Sequence, residues 1–287
     1  MLGLVDLSVL VGLFALIIAS IFDIKTREVP DWLNFSLVAY AIAAALLLSI
    51  TKSDYHIIIN AFIGLIAGTL IGVILFYTGQ WGGGDTKLIA GLCAIMGYSS
   101  GNYRQGLLLI GSFLICTMLV GAIYGLGFSF VKAIANYKQF KPAIEQKLRS
   151  KQVLVIRVTL LLIGLAAFVF LLVTKSIESG MVFGLAMSLF LFFYLWAFIS
   201  VVEKTCMIKE VEVKKLTEGD WIVGDVVKGK KTILKPSKTG ITLEQIAMLK
   251  RHKVNKVMVK VGIPFVPSFL VAYIITFSIG NWMMFFL

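Results

Sequence analysis

The 287-residue sequence predicts an all-α polytopic membrane protein of about eight transmembrane helices (six if spans are reassigned), with a small α+β cytosolic module before the last helix. Three observations predict it. Apolar residues make up 59% and charged residues only 15%, with a mean hydropathy of +0.94, too little charge for a soluble domain's surface. The apolar residues fall in runs near the length a bilayer demands. The Lys and Arg residues gather in alternate connections between those runs.

The runs lie at about 4–23, 33–51, 56–78, 84–100, 105–131, 153–174, 180–202 and 262–286. Hydrocarbon offers backbone groups no partner, so helices are the expected form. The fourth run is the shortest. With eight spans, connections 24–32, 79–83, 132–152 and 203–261 share one face. Omitting the long last one, that face holds 8 Lys/Arg against 3 (Lys52, Arg104 and Lys175) opposite, so it is expected to be cytosolic, with both termini outside. The same clustering explains the net charge of +12 without nucleic acid, and anionic lipid is the expected neighbour of the basic faces. No basic region precedes the first apolar run, so a removable signal segment is not expected.

The expected partition is a five-helix membrane domain over 1–131, a basic cytosolic loop over 132–152, two helices over 153–202, a module over 203–261 and a last helix over 262–287. The basic loop reads as an amphipathic helix broken at Pro142. In the module, "VEVKKLTEGDWIVGDVV" alternates and turns at Glu218-Gly219-Asp220, which predicts a hairpin. "TLEQIAMLKRH" predicts a helix capped by Thr242, and "KVNKVMVKV" a strand. Cys93, Cys116 and Cys206 are far apart and form no C-x-x-C pair, so neither a metal nor a cofactor is expected. Trp32 and Trp81 border spans and read as interface anchors; the stripes "FLFFYLWAF" and "WMMFF" read as lipid-facing.

Two carboxylates stand out. Asp23 closes the first apolar run and Asp85 opens the fourth, in "QWGGGDTKLIAG". Spans one and four run in opposite directions, so both side chains arrive at one membrane depth. An acid there is costly, and its ordinary reading is functional. Two acids in one place can share a proton, one activating water while the other protonates a scissile group. Gly82, Gly83 and Gly84 would let a peptide backbone approach Asp85 and allow unusual conformations at the helix start. Taken alone, Asp85 could be a helix cap and Asp23 a helix-end residue. A proton- or cation-coupled transporter is the alternative from another class, and a non-catalytic assembly platform a further one.

These motifs resemble the type IV prepilin peptidase family, which includes the archaeal preflagellin peptidases and comprises intramembrane aspartyl proteases of the Gly-x-Gly-Asp class. Gly82-Gly83-Gly84-Asp85 with "TKLIAG" is similar to one family motif, and "DIKTREVPDWLN" to the other. The resemblance implies Asp23 and Asp85 as the catalytic pair, with Pro30, Asn34, Gly82, Gly84 and Lys87 as motif positions. Asp31 departs from the Asn that many members carry after the proline. "SKTGITLEQIAMLKRH" and "GIPFVPSFLVAYIIT" are similar to the C-terminal region of archaeal members, and eight spans exceed the six of short preflagellin peptidases. The substrates implied are pilin-like or archaellin precursors, cleaved at the cytosolic membrane surface after a short basic leader. Without C-x-x-C pairs or a methyl-donor motif, no methyltransferase activity is expected. Pro264 opens "PFVP", which invites comparison with a proline motif facing the active site in presenilin-like proteins; a first-turn proline is also ordinary helix-start chemistry.

Overall fold

The computed structural model describes residues 4–228, 231–237 and 240–279. It is a multi-pass membrane protein by its helices. Six described helices are long and apolar enough to cross a bilayer: α1 (Leu4–Thr26), α2 (Asp31–Thr51), α3 (His56–Tyr77), α5 (Tyr103–Ala135), α7 (Lys151–Thr174) and α8 (Ile177–Thr205). The two other expected spans are covered by shorter described helices. Helix α4 (Gly83–Ser99) has 17 residues, and α10 (Val266–Ile279) has 14. Residues 280–286, with the "WMMFF" stripe, lie outside the described residues. Between α5 and α7 runs α6 (Tyr137–Arg149), and the expected break at Pro142 does not occur: the proline sits inside the helix.

The chain divides into two compact units, residues 126–209 and residues 1–125 with 210–287. The first of these is helical. Phe198 of α8 stacks on Phe130 at 4.7 Å between ring centroids and meets Phe140 of α6 edge-on, while Lys147 of α6 lies over the Trp196 ring. The stripe in α8 is only partly outward: Leu191, Phe192 and Trp196 are exposed, but Phe193 and Ala197 are buried.

In the other unit α4 is the central element. Every residue from Leu88 to Tyr98 is buried, and a helix apolar on all sides is one surrounded by protein. At about 1.5 Å per residue it is about 25 Å long, just under a typical hydrocarbon thickness. Gly64, Gly68 and Gly72, one helical turn apart on α3, set its packing. A Cβ at Gly64 would run into the Cys93 carbonyl oxygen, and one at Gly68 would lie 2.7 Å from the Cys93 Cβ. Gly97 of α4 reciprocates against the Asn60 carbonyl. Small residues at four-residue spacing let two membrane helices touch backbone to backbone. Cys93 is thus a packing residue.

Helix α10 packs on α1, where the Tyr273 hydroxyl donates to the Val9 carbonyl at 3.1 Å, and its rings Phe269 and Tyr273 meet Phe113 of α5. Before α10 lies a small α+β module with its own core of Val213, Ile222, Ile241, Ile246, Leu249, Val257 and Val259. Its strands are β1 (Ile208–Glu212), β2 (Trp221–Ile222), β3 (Val226–Lys228), β4 (Lys231–Leu234) and β5 (Lys256–Lys260), with helix α9 (Leu243–Arg251) between β4 and β5. Thr242 caps α9 as expected, its Oγ1 accepting from the Gln245 N–H while Gln245 Oε1 accepts from the Thr242 N–H. The turn at Glu218-Gly219-Asp220 forms, with φ +95° at Gly219, but the hairpin does not. Strand β5 lies between β1 and β2, pairing antiparallel with β2. Its buried Val257 and Val259 take the central place that the alternation in β1 and β2 left open.

Candidate functional site

Asp23 lies in the last turn of α1 and is only 6% exposed. Its Oδ2 accepts a hydrogen bond from the Val266 N–H at 2.9 Å, at the first residue of α10. Asp85 is the third residue of α4 and half-buried. Its Oδ2 accepts from the Gly82 N–H at 3.0 Å, closing the first turn of α4. The two carboxylates are near enough for Asp85 to feel the charge of Asp23. Each acid therefore does serve as a helix-end hydrogen-bond acceptor, and the two nonetheless lie close enough to interact.

The connection between α1 and α2 builds the surroundings. Arg27, just past α1, has φ +64° and sends its guanidinium Nη1 to the Gly262 carbonyl at 3.1 Å. Pro30 sits at the N-cap of α2 in extended geometry, and its carbonyl accepts from Leu33 and Asn34. Asn34 is fully buried and donates from Nδ2 to the Gly84 carbonyl at 3.4 Å; its Oδ1 has no partner among the described residues. Lys87 pairs with Asp31 at 2.6 Å and lies over the Phe35 ring. Lys87 therefore turns away from Asp85, as the two-residue spacing implies, and Asp31, the departure from the family pattern, is its partner.

The glycines divide. The absence of a side chain at Gly84 admits the protein's own Val29, whose Cβ and N would each lie 3.2 Å from an added Cβ. That corrects the expectation of an opening there. At Gly83 the nearest atom to an added Cβ is 3.8 Å away on Phe76, and at Gly82 the Asp85 carboxylate itself is 3.4 Å away, so the approach beside Asp85 is open at these two. Gly82 has φ −77°, which any residue adopts, so unusual backbone is not its reason. Trp81 is 4% exposed, packed on Phe269 at 5.0 Å and Phe265 at 6.3 Å between ring centroids. It is a core residue rather than an interface anchor; Trp32, 60% exposed, keeps the outward position. Pro264 is buried just ahead of α10.

Three participants escaped the sequence reading: Arg27, the Val266 N–H, and Tyr124 of α5, which stands close enough to feel the charges of Asp23 and Arg27. Arg27 follows Asp23 by one helical turn, a signal available in "DIKTR". A backbone N–H leaves no trace in a sequence beyond the proline that marks a helix start. Among the described residues no three His, Cys, Asp or Glu side chains gather as a metal site requires.

A family model described as the type IV leader peptidase family matches residues 10–127, a stretch containing both acids. Three relatives named preflagellin peptidase are similar over part of the chain. That of Methanocaldococcus jannaschii is 38% identical over 87 residues, and that of Methanococcus maripaludis 37% over 87, in each case 30% of this chain and 37% of the relative. That of Methanococcus voltae is 34% identical over 86 residues, 30% of this chain and 36% of the relative. The matched stretch thus spans just over a third of these relatives' length. No solved structure matches the chain significantly.

Proposed function

We propose that this protein is a membrane aspartyl endopeptidase that removes the short basic leader from archaellin or pilin-like precursors at the cytosolic face. The observation that carries this reading is the proximity of Asp23 and Asp85, which stand at the ends of two helices close enough to interact, each accepting a bond from a backbone N–H. The relatives' printed name, preflagellin peptidase, supports archaellin-type precursors as the first substrates to try.

With one proton on the pair, the ionised carboxylate takes a proton from water as its oxygen attacks the scissile carbonyl carbon. The protonated carboxyl gives its proton to the carbonyl oxygen, forming a neutral diol. Proton transfer to the amide nitrogen then breaks the C–N bond, leaving a new carboxyl on the leader and a new amine on the mature protein. Gly82 and Gly83 keep the approach to Asp85 clear for an extended peptide, while Asn34, Val29 and the Asp31–Lys87 pair hold the first turn of α4. A transporter is the weaker reading, because both acids lie within one turn of a helix end rather than mid-helix.

Co-expression with an archaellin precursor tests the proposal. Wild type should shift the precursor to its mature size, and Asp23→Asn or Asp85→Asn should each abolish that shift. Processing that persists in both variants would end the two-acid mechanism.

A further inference from the structure

The matched stretch ends at residue 127, yet Asp23 is held from far beyond it. The geometry points to the segment Gly262–Val266, where the small module joins α10, as a built part of the catalytic site: its backbone is the positioning device for Asp23. This rests on the endopeptidase reading for its kinetic consequences, and on the contacts of α1 with the segment for its geometry.

The grip has two points, one helical turn apart on the same end of α1. Asp23 Oδ2 accepts from the Val266 N–H at 2.9 Å, and Arg27 Nη1 donates to the Gly262 carbonyl at 3.1 Å. Acceptor holds donor at one end of the segment and donor holds acceptor at the other, so the segment cannot slide along α1 without losing both. Arg27 adopts φ +64° to make its contact, a conformation unfavourable for a residue with a Cβ and seen where the surroundings dictate it. The segment is wedged from its other side. The Phe265 ring lies against Trp81 and Phe269, and so close to Gly121 of α5 that a Cβ there would overlap it. Pro264 and Val266 are buried on either side of that ring.

The bond at Val266 is also unusual in what it spends. The first N–H groups of a helix have no partner within it and must find one. Here the partner is a carboxylate proposed to react, so one oxygen of Asp23 is oriented by the start of α10. Val266 and Arg27 are positioning residues, acting on chemistry only through Asp23.

Proline at position 266 removes this N–H while suiting a helix's first residue, where proline is tolerated. Val266→Ala removes side-chain packing but keeps the N–H, and serves as its control. In the full-length protein we expect Val266→Pro to lower kcat for precursor cleavage about tenfold or more, the cost of one charge-assisted hydrogen bond, with KM little changed. Val266→Ala should lose clearly less than Val266→Pro, because it costs packing but keeps the bond to Asp23. A second readout needs no activity: modification of Asp23 by a hydrophobic carbodiimide, followed by mass spectrometry, should be faster in Val266→Pro than in Val266→Ala or wild type. Equal behaviour of the two variants in both assays overturns the inference. A difference in carbodiimide reactivity, in a protein that cleaves no precursor, leaves the positioning intact and removes the endopeptidase reading instead. Should Val266→Pro fail to fold, Arg27→Gly decides, because glycine accepts the left-handed backbone while removing the side chain that reaches Gly262. It should lower kcat severalfold while Arg27→Lys recovers part of the loss, and wild-type kinetics in Arg27→Gly would refute the grip.

Discussion

Asp23 accepts a hydrogen bond from a backbone 243 residues away, whereas Asp85 accepts one from a residue three positions before it. Asp23 is buried and Asp85 half-exposed. The difference shows two ways of fixing the same side chain. Asp85 is set as soon as α4 forms its first turn, with α2 steadying that turn from outside. Asp23 is set only when the far end of the chain has folded and α10 has docked. A site assembled this way is complete only in the full chain, although both acids lie in the matched stretch.

The comparison can be broken at several points. The largest expected effect is on chemistry: Asp23→Asn and Asp85→Asn should each lower precursor cleavage by about 10²–10⁴-fold or beyond detection, since each removes one partner of an acid–base pair. Unequal losses, with one variant still near wild type, would break the symmetry of roles. Next comes the aromatic seat of α10. Trp81→Ala should destabilise the protein by about 3–5 kcal/mol, read as a lower melting temperature in detergent, and should reduce cleavage through the Asp23 side. On the Asp85 side, Gly64→Ala should cost about 1–3 kcal/mol by pushing α3 off the Cys93 carbonyl. An unchanged melting temperature would mean that the two helices do not touch there. The smallest effect belongs to the exposed pair: Lys87→Met or Asp31→Asn should change stability by under about 1 kcal/mol, less at high salt.

The sequence made the acids legible because a carboxylate at the edge of an apolar run has few innocent explanations. Its partners were less so. The Asp31–Lys87 pair joins helices 56 residues apart, and nothing in either segment names the other. Trp81 was misread because a tryptophan beside an apolar run looks the same whether lipid or Phe269 lies next to it. The α3 glycines had a readable four-residue spacing, and their contact with α4 explains why that helix can be short: it faces protein throughout. The β1–β2 hairpin failed for a related reason, since alternation marks a strand but not its neighbour, and β5 supplied a better-buried one.

Cysteine cross-linking in native membranes tests the central claim most directly. Asp23→Cys combined with Asp85→Cys, in a chain whose Cys93, Cys116 and Cys206 are replaced, should cross-link rapidly under mild oxidation. The control, Asp6→Cys with Asp85→Cys, joins opposite ends of α1 and α4 and should not. Cross-linking of the first pair no faster than the control would contradict a shared site.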